Sequence, residues 1–458
     1  MKTNNTLAIT EWQRFGLDDI KAVLQNSANT DQEAKKIFNE LQDFAKQKDS
    51  HNFINFCGSN KLKARNYVGL IQTQSGFCLE ILPKIFRSEK KLEQDLENET
   101  SNSQDKAKAL NSAKKAQDLL LDMLKTLKDS PFKQSNIATL KAKKLPLLEI
   151  FVSLFLDELE KLVKQGIKSD YIAYKQNRTF LRGKLLFNEN LKYNFAHKER
   201  FYTFADEYSQ NLPQNRLIVA ALLKLQKLKF SSKISTRLLQ FRFIFDDIAQ
   251  STNYKADFAK CVNSRHFKAY EQILPWCKLF LEKLTPSPYS GSSKASALLF
   301  DMNKLFESFV AFHLKKHCSL NAKDHAIKTQ DSSKYLLERD AQSEQEQKNK
   351  FKIKPDIVIC KKDENEKPIA ILDTKWKILE KEEEINQGDL YQIFAYLCKY
   401  ENQKGVLIYP KISGEIIEKL HEHKYQYRAF KDTNIQKELK IYFFDLEGEI
   451  SGIKNLFE

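Results

Sequence analysis

Two aspartates and one lysine towards the C-terminal end of the sequence have the residue types needed for chemistry on a phosphate. Asp356 follows a proline, and Asp373 lies two residues before Lys375. Carboxylate oxygens are the ligands that Mg²⁺ prefers in proteins. A lysine ammonium can stabilise the negative charge that develops on an attacked phosphate. Brought together, these three residues would support metal-assisted cleavage of a phosphate ester.

The stretch that carries these residues predicts a β-hairpin. Two short apolar runs rich in β-branched residues, 357–359 and 369–372, flank a charged segment with turn composition. Asp356 and Asp373 lie at equal distances from the middle of that segment, so an antiparallel hairpin places them opposite each other. The strand period of two then puts Lys375 on the same face as Asp373. We therefore expect all three side chains to converge at one end of the hairpin.

An acid two residues before a lysine is weak evidence by itself. The same pattern occurs at Glu33, Glu89 and Glu438, where solvated helix faces are the simplest interpretation. What distinguishes Asp373 is its position at the end of an apolar strand, with a Pro-Asp pair before a second such strand. The alternative, two ordinary strand ends with no metal, remains open at this point.

Length and charge narrow the class of protein. A chain of 458 residues is long enough for two or three domains, and 41% hydrophobic with 29% charged residues indicates a globular protein with a heavily charged surface. The formal net charge of +15 favours a polyanionic partner, with nucleic acid first. The alternative is a lysine-rich organism whose proteins are generally basic.

Several classes of site have no support in the sequence. The seven cysteines form no CxxC pair, which excludes a zinc ribbon and favours free thiols in a reducing cytoplasm. No GxxxxGK[ST] or GxGxxG motif occurs, so any nucleotide hydrolysis would need another chain. The N-terminus lacks an apolar signal region, and acids interrupt the apolar stretch 145–163, which predicts an amphipathic helix and no membrane span. We expect a cytoplasmic protein.

Changes in composition predict a multidomain α+β chain. A highly charged stretch, nearly free of large apolar residues, suggests a linker or a solvated helix, and a Pro- and Gly-containing break precedes the last domain. In the middle region, basic and aromatic residues between 192 and 202 could contact phosphates and bases, or could be an ordinary basic surface. The expected parts are an N-terminal mixed domain (1–87), the charged linker (88–115), a mainly helical domain (116–295) and a C-terminal domain (296–458).

The C-terminal domain is predicted to be a small mixed sheet flanked by helices. After residue 298, a helix is expected whose apolar stripe runs from Met302 to Val310 with Glu307 beside it, and a second helix is expected over 387–399. Strands are expected at 335–337, in the hairpin, at 406–409 and at 441–444, with acids at the ends of the central strands.

Four of these segments together resemble the PD-(D/E)xK nucleases, in the version found in McrC-like subunits of McrBC-type restriction systems. Upstream segments agree, and the resemblance covers roughly residues 65 to 410. The nuclease segments are Leu305-Phe306-Glu307, Lys354-Pro355-Asp356-Ile357-Val358, Leu372-Asp373-Thr374-Lys375-Trp376-Lys377 and Asp389-Leu390-Tyr391-Gln392 with Tyr396. The upstream segments are Tyr67-Val68-Gly69, Leu79-Glu80-Ile81-Leu82-Pro83-Lys84, Leu181-Arg182-Gly183-Lys184-Leu185 and Glu207-Tyr208 with Gln214-Asn215-Arg216.

The resemblance implies a DNA endonuclease of antiphage defence that works with a partner. That partner would be a McrB-like AAA+ GTPase hexamer, which binds GTP and translocates along double-stranded DNA, and which the N-terminal part of this chain would stimulate. Asp356, Asp373 and Glu307 would bind Mg²⁺, with Mn²⁺ as an alternative. Lys375 would orient or activate the attacking water, and Gln392, with Tyr396 as a further candidate, would support the site.

Two other functions remain open. The chain could be a stand-alone nuclease with the same core, although about two thirds of it would then have no obvious use. It could also be a non-catalytic adaptor that only stimulates a partner NTPase. That function would predict loss of an acid or of the lysine, and all are present.

Overall fold

A computed structural model describes most of the chain, and helices and strands are numbered below in chain order. The described residues are 5–24, 30–47, 50–58, 60–84, 103–128, 130–134, 145–261, 268–284, 295–321, 324–338, 349–362, 367–379, 381–402, 404–411, 424–427 and 437–446. The helices are α1 (Leu17–Leu24), α2 (Thr30–Ala45), α3 (Ser103–Thr126), α4 (Leu147–Gln165), α5 (Phe187–Asn194), α6 (Pro213–Gln226), α7 (Ser232–Ile244), α8 (Tyr254–Lys260), α9 (Lys268–Lys278), α10 (Met302–Asn321) and α11 (Gln387–Lys399).

The strands combine with these helices in two compact units. One unit contains Met1–Ile71, Cys78–Lys133 and Leu299–Glu458, and the other contains Gln72–Phe77 and Gln134–Leu298. The strands are β1 (Thr6–Thr10), β2 (Arg14–Gly16), β3 (Ile54–Phe56), β4 (Lys61–Ala64), β5 (Tyr67–Thr73), β6 (Cys78–Leu82), β7 (Asp170–Arg178), β8 (Lys184–Leu185), β9 (Phe201–Ser209), β10 (Ala295–Asp301), β11 (His325–Thr329), β12 (Tyr335–Glu338), β13 (Asn349–Lys352), β14 (Ile357–Lys361), β15 (Pro368–Thr374), β16 (Lys404–Pro410), β17 (Lys424–Tyr427) and β18 (Lys437–Phe444).

The N-terminal part of the chain forms two small sheets. One has the order β1-β6-β5-β10, with β1 parallel to β6, and the other has the order β2-β4-β3. The expected strand near residues 7–9, the two helical segments before residue 48 and the strands of the 67–85 hairpin are all present. Of the charged segment 88–115, the part from Ser103 belongs to α3, and the part before it lies outside the described residues.

A six-stranded mixed sheet dominates the C-terminal part of the chain, as the sequence predicts. Its order is β11-β14-β15-β16-β18-β17; β15, β16 and β18 run parallel, and the other pairs are antiparallel. Ile393 of α11 packs with Phe443, whereas Phe306 of α10 contacts Phe444, with ring centroids 6.4 Å apart. Because neighbouring strand residues point to opposite faces, the two helices cover opposite faces of the sheet.

One expectation for this region needs correction. The strand expected at 335–337 is present as β12, but it pairs with β13 in a separate two-stranded sheet and is not part of the mixed sheet. Strands β10, β11, β13 and β17 were not predicted. A short apolar run such as Ala297-Leu298-Leu299-Phe300 in β10 fits a buried strand as well as a helix, so periodicity alone could not decide. The expected helix with the Met302 to Val310 stripe, the expected helix over 387–399 and the other expected strands are present.

The unit that contains residues 134–298 is mainly helical, but it also holds a three-stranded sheet in the order β7-β9-β8 that the sequence did not predict. Strand β7 has only one buried residue, Arg178, so it shows no apolar alternation. The basic and aromatic residues between 192 and 202 lie in and beside this sheet. Tyr193 stacks on Tyr202 with centroids 5.2 Å apart, and the Lys192 ammonium lies 5.4 Å from the Tyr193 ring.

The chain also shows features that bear on its class. The structure describes the side chains of six of the seven cysteines, and these six are free thiols. None of the helices described here is both long and apolar enough to cross a membrane.

Gly183 is expected to tolerate no side chain. Its φ is +74°, and a Cβ added there would lie 2.4 Å from the Phe204 carbonyl oxygen and 2.7 Å from Ala205 Cβ. Gly183→Ala should therefore lower the free energy of unfolding by about 1–3 kcal/mol, through backbone strain and the clash with β9. Urea denaturation followed by circular dichroism would measure this. Gly58→Ala is the matched control for strain without a clash, because φ is also positive there and no atom lies within 4 Å of the added Cβ.

Candidate active site

The predicted hairpin is present, and its register brings Asp356 and Asp373 to the same end. Strands β14 and β15 pair Ile357 with Leu372 and Val358 with Ile371, so the two aspartates are the next opposed residues beyond that pairing. The register shifts only between Ile359 and Cys360, towards the turn, and leaves the aspartate end unaffected. Residues 363–366 of the expected turn lie outside the described residues.

Asp356 is fixed by the strand that faces it. Its Oδ2 accepts hydrogen bonds from the Thr374 backbone N–H at 2.8 Å and from the Thr374 hydroxyl at 2.7 Å. Its Oδ1 accepts a longer bond, 3.3 Å, from the side-chain amide of Gln330. The carboxylate is half-buried, and these three hydrogen bonds define its orientation.

Asp373 and Lys375 form an ion pair next to Asp356. Asp373 is 1% exposed, and its Oδ2 lies 2.7 Å from the Lys375 ammonium. Asp389 of α11 lies 3.5 Å from the same ammonium and 2.8 Å from that of Lys377. The Lys375 backbone N–H donates to the carbonyl of Ile408 on β16, which ties the lysine to the sheet.

Lys375 is held as an ammonium. Burial is the largest single effect and by itself lowers the pKa of Lys375, but the charge and hydrogen bond of Asp373 together with the charges of Asp389 and Asp356 outweigh it. The net shift of the Lys375 pKa is upward. At neutral pH this side chain is therefore a fixed positive charge and not a proton acceptor.

Helix α11 reaches the site through two side chains that the sequence singled out. Gln392 Oε1 accepts a hydrogen bond from the Lys375 ammonium at 2.9 Å, and its amide nitrogen donates to the Tyr396 hydroxyl at 2.7 Å. The Tyr396 hydroxyl in turn donates to the Lys354 carbonyl at 3.3 Å. This series of contacts joins the helix to both strands of the hairpin.

Glu307 approaches the two aspartates from α10, and Gln330 lies between it and Asp356. The Gln330 amide nitrogen is 2.5 Å from Glu307 Oε1 and 3.3 Å from Asp356 Oδ1. Gln330 was not predicted as a site residue. It directly follows β11, whose pairing of Thr329 with Ile357 brings Gln330 beside Asp356, and β11 has no clear apolar pattern. Thr374 and Asp389 were likewise not given roles from the sequence.

The acids of the site are destabilised as anions. Burial is the largest cause that raises the pKa of Glu307, to about 7, and the neighbouring charge of Asp356 adds to it. Burial and the charge of Asp356 raise the pKa of Asp373 to about 6, even though Lys375 acts in the opposite direction. Desolvated carboxylates that repel one another create a need for a cation.

The donor set fits a hard divalent cation in kind, because it consists of carboxylate oxygens. Within the part of the chain that the structure describes, however, no three His, Cys, Asp or Glu side chains already form a group that could hold a metal ion. Hydrogen-bond donors occupy the space instead: the Gln330 amide beside Glu307 and Asp356, and the Lys375 ammonium beside Asp373. Metal binding at this site would require these groups to rearrange.

The raised pKa values predict how stability depends on pH without metal. Glu307 has a pKa of about 7 in the folded chain against 4.5 for an ordinary glutamate, so between those values the folded state binds more protons than the unfolded state. Stability in EDTA should then fall as pH rises through this window. Glu307→Gln should reduce that fall, measured as melting temperature between pH 5 and about 7.5. An equal slope in the variant and the parent would contradict it.

The sequence of this chain matches a known protein family. The sequence model of the McrBC 5-methylcytosine restriction system component family matches residues 62–410. The chain belongs to this family. The match includes the whole hairpin, both helices that approach it, and the upstream segments noted in the sequence. No curated protein matches the chain.

The chain has two structural neighbours in McrBC complexes, and the first of them shares its fold. A chain from the refined half-complex of Thermococcus gammatolerans McrB AAA+ hexamers with bound McrC is 21% identical, with a TM-score of 0.61, and the alignment covers 98% of both chains. A chain from the T. gammatolerans McrBC complex is 22% identical with a TM-score of 0.43, covering 68% of this chain and 87% of that one. The first of these supports the same fold over nearly the full length.

Proposed function

We propose that this McrBC family member is the Mg²⁺-dependent DNA endonuclease subunit of a GTP-driven restriction complex. The observation that carries the proposal is the convergence of Asp356, Asp373 and Lys375 at one end of a buried hairpin, with Glu307 approaching from α10. The sequence order and the mixed sheet agree with a PD-(D/E)xK nuclease domain. The net charge of +15 favours a DNA partner.

The residues of the site have separable roles in this proposal. Asp356, Asp373 and Glu307 would hold Mg²⁺, or Mn²⁺ in its place. When bound, the ion would polarise the phosphate and lower the pKa of a water molecule. Lys375 supplies a positive charge for the transition state, and its raised pKa makes it an electrostatic group and not a general base. Gln392 positions Lys375, and Tyr396 positions Gln392.

The proposal also includes a GTP-hydrolysing motor on another chain. The sequence contains no phosphate-binding loop, so GTP would be bound and hydrolysed by a McrB-like AAA+ hexamer. The structural neighbour described as McrB hexamers with bound McrC supports this choice of partner. In the proposed complex this chain cuts double-stranded DNA and stimulates the partner GTPase.

Reconstitution tests this proposal and separates its alternatives. The purified chain is combined with the AAA+ protein from a neighbouring reading frame, double-stranded DNA, GTP and Mg²⁺. We expect cleavage only when all components are present, its loss in EDTA, and negligible GTP hydrolysis by this chain alone. Cleavage by the chain alone would favour a stand-alone nuclease. Stimulated GTPase activity without cleavage under either Mg²⁺ or Mn²⁺ would favour an adaptor.

A further inference from the structure

The side chain of Gln330 occupies a place in the site that none of the expected roles explains. Its amide nitrogen contacts both Glu307, at 2.5 Å, and Asp356, at 3.3 Å, and so bridges an acid on α10 and an acid on the hairpin. The orientation of the amide follows from its neighbours, because the amide oxygen in the same place would face two carboxylates. Gln330 is therefore a hydrogen-bond donor shared by these two acids.

The main chain of Gln330 is anchored separately from its side chain. Its backbone N–H donates to the Asp356 carbonyl at 2.9 Å, and the residue has a φ of +53°, which few residues other than glycine and asparagine adopt readily. The backbone is thus tied to the strand that carries Asp356. The hydrogen bonds of the side chain to the two acids are separate from this backbone anchor.

We propose that Gln330 is a placeholder for the cation: its amide donates to Glu307 and Asp356, two of the acids that would hold a divalent ion, and so competes with the ion for them. This inference rests on the proposed nuclease function and adds a residue to it. The amide stabilises the two carboxylates only in part, because a neutral hydrogen-bond donor carries less than a full positive charge. Each binding event then displaces the amide, so Gln330 weakens cation affinity while it keeps the acids in place.

A placeholder and a ligand predict opposite effects of removing the amide. Gln330→Met keeps the length of the side chain but offers no donor, so the cation no longer competes with a hydrogen bond. We expect Mg²⁺ to bind this variant roughly 3- to 10-fold more tightly, the factor of one modest hydrogen bond. Gln330→Lys places a permanent positive charge between the acids and should weaken Mg²⁺ binding by about tenfold or more.

Titration calorimetry of the full-length chain with MgCl₂ and then MnCl₂, after removal of metal with EDTA, measures these affinities without DNA, GTP or partner. Gln426→Ala is the control, because Gln426 is an exposed glutamine on β17. This variant should bind Mg²⁺ with the same affinity as the parent chain. Gln330→Asn serves if the methionine variant does not fold. It keeps an amide and suits a positive φ, but it is one methylene too short to span both acids, so it should also bind Mg²⁺ more tightly.

Weaker or unchanged Mg²⁺ binding by folded Gln330→Met would overturn the inference, and the same holds for folded Gln330→Asn if it is used instead. Either result would make Gln330 a ligand or a purely structural support. Failure of the proposed function is distinguishable, because it would show as absent cleavage by the reconstituted parent complex. The affinity measurements do not depend on that activity.

Discussion

Asp373→Asn and Lys375→Met should each reduce DNA cleavage by the reconstituted complex by about 10³-fold or more, because each removes a charge that acts on the reacting phosphate or on its metal. Asp373 is almost fully buried against Lys375, and Lys375 is the ammonium that Asp373, Asp389 and Gln392 hold in place. Both substitutions preserve the approximate shape of the side chain, so the fold should survive. Cleavage rates on linear DNA under single-turnover conditions would measure the loss.

The matched control for the lysine is Lys377→Met. Lys377 lies two residues further along and pairs with Asp389, but its side chain is 42% exposed. We expect its loss to change cleavage by less than about tenfold, as for a surface ion pair. Binding to the AAA+ partner and stimulation of its GTPase should stay intact in Asp373→Asn and Lys375→Met. Persistent cleavage by either would show that the reacting groups lie elsewhere.

Trp376→Ala should lower the free energy of unfolding by about 3–5 kcal/mol, the usual loss for a large buried aromatic side chain. Trp376 is 4% exposed and directly follows Lys375. Its ring lies 5.2 Å from that of Phe306, the residue before Glu307, and its indole N–H donates to the buried carboxylate of Glu11. The Trp376 side chain therefore links the segment that carries Lys375 to helix α10, which carries Glu307, and to Glu11 in the N-terminal part of the chain.

Trp376→Phe separates packing from hydrogen bonding. It keeps an aromatic ring beside Phe306 but removes the N–H that Glu11 accepts, so a smaller loss of about 1–3 kcal/mol is expected. Trp12→Ala is the control for the residue type. Trp12 is 37% exposed, and its replacement should cost less than about 1 kcal/mol. Urea midpoints would rank the three variants. Equal midpoints for the alanine variants at 12 and 376 would contradict the packing argument.

The sequence allowed the hairpin and its register to be predicted, because both depend on local information. Equal spacing of Asp356 and Asp373 from the turn determined which residues face each other, and the structure confirms that pairing. The periodicity of apolar residues gave helix α11 its observed bounds. The hairpin also supplied Asp356, Asp373 and Lys375, three of the five expected site residues. Glu307 and Gln392 were assigned through the resemblance.

Other parts of the site and fold left no local signal. Gln330 reaches Asp356 only because β11 pairs with β14, and β11 has no fully buried residue that would mark it as a strand. Strand β7 exposes both faces and so lacks alternation. The contact between Glu11 and Trp376 joins residues 365 positions apart, which no pattern within a window of sequence can indicate.

That last contact has a consequence for the order in which the protein is made. Residues emerge from the ribosome at about 5–20 per second, so roughly 20–70 s separate the synthesis of Glu11 from that of Trp376. Strand β18, next to β16 in the sheet, emerges later still. A nascent chain cannot assemble the acidic site until helix α11, which carries Gln392, has been translated. The proposed nuclease site therefore forms only after everything from strand β1 to α11 has been synthesised.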